Sequence, residues 1–420
     1  MNINNTFLPP AICMLAGAFL LPSAVLASPL VSVGDEVDVY FNGSSSLRWT
    51  SNVFRDEEDE VSDLIWTLSP GFDINVGRGL SNADLSIITR YDIIRYQDSK
   101  PFDTETFHIR AVGSYQSSRL DLNGSVSFDE HETSTSDESQ INSLIESSSV
   151  GARLEGEYRV SPKFSFGAGI VYDEREYTND GEYYENNFAD RETVRLPFDV
   201  YYELTPKVDL SLGYTYNQSD VGDTDYVVSD GSPVSTARTG YEVESHFFNI
   251  GARGQLLPKL NGFFKIGYRF RENDGYTTQP FFNGAGGPIQ TVNSRSTGQL
   301  GLDANFRWSA TPKVSANLDL SRDFGVGGEG TDVEVSSIGV SGNYLINTYW
   351  SALANAGYKL REYETSGRED NQYQLGARLT YSPNKYWSFG GGYNYIENDS
   401  NGVNRSYTNH VLDVSASLRY

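Results

Sequence analysis

The chain has 420 residues, a mean hydropathy of -0.44, a formal net charge of -24 and one cysteine. This acidity argues against nucleic-acid binding, because surfaces that bind phosphates are basic. Tyr, Phe and Gly are abundant (28, 22 and 40) while Met numbers only 2, which favours strands over helices. After residue 27 no apolar run approaches the ~20 residues of a membrane-spanning helix, which excludes a helical membrane protein.

The first 27 residues have the pattern of a cleavable secretory signal peptide. An apolar core at 11–21 is followed by small-residue cleavage positions at Val25 and Ala27. The basic residue that usually precedes such a core is missing, since the first basic side chain is Arg48. We nevertheless expect secretion through a cleavable signal.

The predicted mature chain contains no cysteine, because Cys13 lies inside the signal segment. This excludes disulfides, thiolate metal sites and cysteine nucleophiles from the mature protein. We expect residues 28–36 to form a short periplasmic segment. Residues 37–420 are expected to form one barrel in the outer membrane of a Gram-negative bacterium.

Apolar and polar side chains alternate in about eighteen segments of the region 37–420. One face of the last segment carries Leu412, Val414, Ala416, Leu418 and Tyr420. A period of two indicates a strand with two different faces, and an apolar outside with a polar inside is typical of membrane barrels. We therefore predict an all-β, transmembrane, antiparallel up-and-down barrel of about 18 strands. Sixteen strands remain possible if a weak strand is misread.

Two kinds of connection join the predicted strands. The short ones repeat a Pro-Lys pattern at Ser161-Pro162-Lys163, Thr205-Pro206-Lys207, Leu257-Pro258-Lys259 and Thr311-Pro312-Lys313. Proline presets the backbone for a tight turn and lacks the N–H that a ladder needs. The long ones lie near 129–145, 173–191, 217–242 and 271–295. This asymmetry predicts short periplasmic turns and long extracellular loops.

The polar face of the predicted strands carries charges of both signs. The basic residues predicted to line the pore are Arg90, Arg110, Arg153, Arg195, Arg253, Arg269, Arg307, Lys359 and Arg378. The acidic ones are Asp92, Glu155, Asp199, Asp303 and Asp319. Charged rings along a pore set its ion preference. Two interpretations stay open: the basic residues guide anionic solutes, or both signs pair across strands and fill a narrow lumen.

The acidic excess of the chain lies mainly in predicted outer loops, at 55–63, 129–146 and 173–192. One run, Asp56, Glu57, Glu58, Asp59 and Glu60, is a weak candidate for binding Ca²⁺ through carboxylate oxygens. It lacks the glycine and the alternation of an ordered calcium loop. Solvated surface charge is therefore the favoured interpretation, and we predict no metal site.

Catalysis is not expected. The four histidines, His108, His131, His246 and His410, lie in no hydrolase or metalloprotease motif. A loop-borne catalytic pair needs no local motif, so hydrolysis of lipid or peptide by the purified protein would contradict this expectation. We also expect no cofactor.

Three segments, Leu64–Gly77, Asp92–Tyr96 and Leu412–Tyr420, resemble the putative β-barrel porin 2 family of bacterial outer-membrane proteins. The resemblance spans most of the mature chain. It implies a terminal strand that the barrel-assembly machinery reads, with Leu418 and Tyr420 in the assembly signal. Some members are associated with exopolysaccharide export, which the resemblance permits.

The leading functional interpretation is a porin-like channel for passive passage of small hydrophilic solutes. An export conduit for an anionic exopolysaccharide is the first alternative. The second is a structural or adhesive barrel with a plugged lumen and functional loops. Expected partners are outer-membrane lipid and lipopolysaccharide, the assembly machinery, and small solutes or anionic polysaccharide.

Overall fold

The computed structural model describes residues 28–77, 81–134, 144–178, 188–224, 234–282, 285–327, 331–364 and 367–420. The predicted signal peptide at 1–27 lies outside these ranges. The first nine long strands are β1 (Val37–Thr50), β2 (Asp63–Val76), β3 (Ala83–Tyr96), β4 (Thr104–Gln116), β5 (Leu120–Ser134), β6 (Leu144–Ser161), β7 (Phe164–Tyr177), β8 (Arg191–Thr205) and β9 (Val208–Val221). The other nine are β10 (Tyr241–Leu257), β11 (Leu260–Phe282), β12 (Gln290–Thr311), β13 (Val314–Val326), β14 (Asp332–Leu345), β15 (Trp350–Tyr363), β16 (Glu369–Tyr381), β17 (Trp387–Ser400) and β18 (Tyr407–Arg419).

These strands form one closed antiparallel barrel. Each strand pairs with the next along the chain, and β18 pairs with β1 from Asn42↔Arg419 to Thr50↔Val411. Phe41 and Tyr420 complete the closure, since their backbones exchange hydrogen bonds of 2.6 and 2.9 Å. The predicted up-and-down barrel of eighteen strands is confirmed.

The alternation of the sequence becomes the two faces of the wall. On β18, Leu412 and Val414 are 51 % and 58 % exposed on the outside, while Asp413 between them points into the lumen. Outward side chains are exposed because this face of a membrane barrel contacts lipid. Aromatic rings gather at the periplasmic end of this face, as in the Trp350–Tyr381 pair, whose ring centroids are 4.7 Å apart.

Short elements add to the barrel at its ends. Val31–Val33 pairs with the start of β1. Val234–Arg238 and Ala285–Gly286 pair with the far end of β11. A single 3-10 turn spans Lys100–Phe102. Among the described residues, no helix has the length and apolarity needed to cross a membrane.

Several extracellular hairpins continue as strand into regions predicted to be loops. β11 has 23 residues and β12 has 22, so most of the predicted loop at 271–295 is hydrogen-bonded strand. Both exceed the ~10 residues that cross a bilayer. Loop boundaries based on apolar alternation were therefore wrong here, because strand pairing continues beyond the lipid without an apolar face.

Candidate functional site in the barrel lumen

The strand registers place all fourteen predicted pore residues on the lumen face. Each occupies the position that alternates with an outward apolar side chain, as Arg378 does between Ala377 and Leu379. The lumen wall has two parts. We call the lumen faces of β6–β15 the paired wall and those of β16–β18 and β1–β5 the small-residue wall.

Arg253 on β10 makes several contacts near the periplasmic end of the paired wall. Its Nη1 and Nη2 donate to both carboxylate oxygens of Glu157 at 2.8 and 2.7 Å. Its Nε donates to Asp209 at 3.1 Å, and the guanidinium lies 3.4 Å from the ring centroid of Tyr201. Charge-assisted bidentate pairs of this kind are among the stronger side-chain interactions.

More ion pairs follow at mid-height on the same wall. Lys265 Nζ lies 2.8 Å from Asp199, and Arg269 Nη1 lies 2.8 Å from Asp323. Asp303 faces Lys265 across the β11–β12 ladder. Gly213 leaves room for the Asp199 side chain, because a Cβ at Gly213 would collide with the side chains of Asp199 and Asn249.

These contacts require a tightly curved wall. Glu157 on β6 and Arg253 on β10 are four strands apart, which is about 19 Å along the sheet at the usual strand spacing. Two side chains cannot bridge that path along a flat wall. The β6–β10 segment therefore curves sharply, and the pair joins its two ends across the lumen.

The extracellular end of β13 folds into the lumen. Its pairing with β12 ends at Leu302↔Arg322, although β13 continues to Val326 beside β14. We call residues 323–327 and 331–333 the β13–β14 tip. The Val326 carbonyl accepts a 2.7 Å hydrogen bond from Arg191 Nη1 on β8, five strands away.

Arg271 on β11 anchors this tip from below. Its Nη2 lies 2.8 Å from Glu364 and 3.5 Å from Asp332, and its guanidinium stacks 4.6 Å from the Phe324 ring. The side chain is only 3 % exposed. Asn273 Nδ2 also donates to Asp332 at 2.6 Å. Arg271 thus contacts both arms of the tip, in addition to the contacts that Arg191 and Arg269 make with it.

An apolar cluster seals the contact between the tip and the wall. The cluster contains Ala189, Val221, Tyr241, Val243 and Tyr276, with Val292 and Val326 packed against it. A second cluster of Val53, Ile65 and Tyr96 lies at the top of β1–β3. Both clusters occupy the extracellular end of the barrel.

Short side chains recur along the small-residue wall. Its lumen positions include Ser44, Ser46, Ser69, Ser86, Ser125, Ser127, Gly376, Gly390, Gly392, Ser415 and Ser417. Short side chains project little into the lumen, and hydroxyl groups hydrogen-bond with water. These positions therefore leave space for solvent beside the wall.

Charged residues on the small-residue wall are fewer and mostly paired with each other. Arg90 lies 3.0 Å from Asp92, and His108 Nδ1 lies 2.9 Å from Asp129. In a separate group, Arg378 donates to both Asp413 and Ser415 at 2.6 Å.

Three predicted basic residues differ from the rest. Among the described residues, no carboxylate oxygen lies within 4 Å of the Arg110, Arg195 or Arg307 guanidinium groups. Arg110 and Arg307 are exposed to the lumen. Arg153, by contrast, lies 3.5 Å from Glu155. Most of the predicted basic residues are thus paired with a carboxylate or have other contacts, and both interpretations of the lumen charges stay predictions.

Other predicted sites have their own local roles. Asp56 Oδ1 accepts hydrogen bonds from the Glu58 and Asp59 backbone at 3.0 and 3.2 Å, so this carboxylate caps its own turn. Within the ranges that the structure describes, no three His, Asp or Glu side chains form a metal-binding group. Asp319 accepts a hydrogen bond from Asn305.

The predicted assembly-signal residues lie at the barrel seam. Leu418 pairs with Gly43 on one side and with Trp387 on the other. Tyr420 packs its ring 5.6 Å from that of Tyr386. Their role in assembly stays a prediction.

Two lumen features escaped the sequence interpretation. Ile88 and Val112 are apolar but face the lumen, where they are 44 % and 37 % exposed. A signal was present, because Ile87-Ile88 and Ala111-Val112 are consecutive apolar residues, and adjacent residues on a strand face opposite sides. The inward-folded β13–β14 tip had no comparable signal in the sequence, because its position depends on where the pairing between β12 and β13 ends.

The family to which the sequence is matched agrees with this architecture. The family described as Putative beta-barrel porin 2 matches residues 41–420. No curated protein sequence matches the chain. Among solved structures, OpdK of Pseudomonas aeruginosa with vanillate is 11 % identical, with a TM-score of 0.40 and coverage of 91 % of this chain and 99 % of that one.

Two further structures are similar to the chain. OccK2 (OpdF) of Pseudomonas aeruginosa in complex with glucuronate is 11 % identical, with a TM-score of 0.43 and coverage of 91 % and 98 %. The unliganded ferric citrate transporter FecA is 9 % identical, with a TM-score of 0.46 and coverage of 90 % and 78 %. Because the family match covers nearly the whole chain, the protein belongs to the putative β-barrel porin 2 family of outer-membrane barrels.

Proposed function

We propose that the protein is a passive outer-membrane channel for small hydrophilic solutes. The observation that carries this proposal is a closed barrel of eighteen strands with a wall of serine and glycine side chains facing the lumen. Barrels of 16–18 strands have room for an aqueous channel. Solutes would pass along the small-residue wall, where side chains are short and wettable.

The paired wall would act as the rigid side of the channel. Several of its cations are neutralised by carboxylates at contact distance, as in the Arg253–Glu157 and Lys265–Asp199 pairs, and Arg195 and Arg307 on the same wall are isolated exceptions. A conduit for an anionic polymer would need a continuous basic path. Passive passage of small solutes is therefore favoured over export of an anionic polysaccharide.

Reconstitution in a planar bilayer tests the proposal. We expect stepwise conductance, with current that is not blocked by acidic oligosaccharide. Absence of conductance from folded protein would contradict the channel and favour a plugged barrel with functional loops. Block by the oligosaccharide would instead favour the export conduit.

A further inference from the structure

We propose that a patch in the lumen binds small organic anions with one carboxylate and an apolar body. The patch consists of Arg110 and Val112 on β4 and Ile88 on β3, and we call it the amphiphilic patch. The inference rests on the proposed channel function and names a solute class for it. The patch lies near mid-height, four to six residues from the periplasmic ends of its strands.

The apolar half of the patch is unusual for its surroundings. The small-residue wall is built mainly from serine, glycine and charged residues, but Ile88 and Val112 are 44 % and 37 % exposed on it. Exposed aliphatic surface in a water-filled lumen gains free energy when it is covered by an apolar group. A solute with a hydrocarbon body provides such a cover.

The cationic half is available to a ligand. Arg110 lies directly opposite Ile88 on β3 and Ser127 on β5. No carboxylate in the described part of the chain lies within 4 Å of its guanidinium, whereas the nearby Arg90 is held by Asp92. A guanidinium without a protein partner binds a carboxylate through two parallel hydrogen bonds.

The spacing within the patch suits one small molecule. Side chains directly opposite each other have Cβ atoms about 5 Å apart, so Arg110 and Ile88 reach the same ligand. Val112 is two residues further along the same face, about 7 Å away. A carboxylate on Arg110 would therefore place a short aliphatic chain across both Ile88 and Val112.

Neighbouring charges do not oppose an anion there. Asp92 and Asp129 are engaged by Arg90 and His108, and Asp73, which faces Ile88, lies 3.2 Å from Arg419. On the opposite edge of the patch stand Ser125 and Ser127. Among the described residues, Leu353 is a further exposed apolar side chain of the lumen, and it faces Arg378, whose charge is already paired with Asp413.

Equilibrium binding to the full barrel, refolded in detergent, tests the inference. Hexanoate, acetate and hexanol would be titrated while ligand contacts are followed by saturation-transfer NMR. We expect hexanoate to bind more tightly than either of the other two. Arg110→Gln should weaken hexanoate about tenfold, since it removes charge-assisted hydrogen bonds. The double variant Ile88→Ser, Val112→Ser should weaken hexanoate while leaving acetate unchanged.

Arg307→Gln is the matched control. Arg307 is also exposed to the lumen, but its neighbours across the ladders are Asn261 and Asn317 rather than apolar residues. This variant should bind hexanoate as the wild type does. Equal affinity for hexanoate and acetate, or equal losses in the Arg110 and Arg307 variants, would overturn the inference. Bilayer conductance is measured separately, so a conducting barrel without hexanoate preference contradicts the patch but not the channel.

Discussion

Arg271 on β11 and Glu364 at the end of β15 meet across four strands, with Nη2 and Oε1 only 2.8 Å apart. Together with Asp332, this contact holds the β13–β14 tip over the lumen. Arg271→Gln leaves Asp332 without this cation and Glu364 with Arg295 alone, 3.4 Å away. Breaking a buried pair costs about 3–5 kcal/mol. We expect the tip to move outward, with larger single-channel conductance and faster proteolysis within the tip. Glu105→Gln, which breaks an exposed pair with Arg95, should change neither, and unchanged conductance in Arg271→Gln would contradict this role.

The Glu157–Arg253 contact should contribute to the stability of the barrel. Glu157→Gln leaves Arg253 with Asp209 as its remaining carboxylate, so we expect a loss of about 1–3 kcal/mol in the free energy of unfolding. Urea unfolding in detergent, followed by tryptophan fluorescence, measures the loss. The Glu105→Gln variant again provides the comparison, since an exposed, solvent-screened pair contributes little to stability. Equal stability of the two variants would rule out a structural role for the bridge.

Ion selectivity should depend on unpaired rather than paired cations. Arg110→Gln removes a charge that no described carboxylate offsets, so the chloride-to-potassium permeability ratio should fall. The double variant Arg378→Gln, Asp413→Asn removes both members of a pair and should leave the ratio nearly unchanged. Reversal potentials in a salt gradient give both ratios. A larger change in the double variant would mean that the paired charges set the selectivity.

Asp56 should act as a turn cap and not as a calcium ligand. Asp56→Ala removes the acceptor for two backbone N–H groups, with an expected cost of about 1 kcal/mol and greater protease sensitivity of the 51–62 loop. Glu57→Gln and Glu60→Gln should have little effect. Thermal unfolding with and without Ca²⁺ provides the second measurement, and we expect no shift. A Ca²⁺-dependent stabilisation that is lost on neutralising Asp56–Glu60 would contradict this interpretation.

Sequence alternation was sufficient to predict the fold because each barrel strand repeats the same local rule. The period of two places Asp413 inside and Leu412 outside without knowledge of any other strand. It also predicted which charged residues face the lumen. The strand count followed from the same pattern together with the turns.

The pairing of those residues could not be predicted in the same way. Glu157 and Arg253 are 96 residues apart in the chain, and their contact depends on the curvature of four intervening strands. The inward tip depends on the point where β12 and β13 separate, after Leu302↔Arg322. Both are properties of the closed barrel, whereas alternation is a property of each strand.

The unequal lengths of the strands give the protein an uneven outer profile. The 23 residues of β11 extend about 78 Å along the strand, or about 60 Å of height at a tilt near 40°, against an apolar band of about 25 Å. β13 has only 13 residues, so the wall drops steeply beside this hairpin. Within the described part of the chain, the β11–β12 hairpin would stand well above its β13 neighbour on the outside of the cell. An antibody or phage approaching this side would meet the hairpin before it reached the membrane.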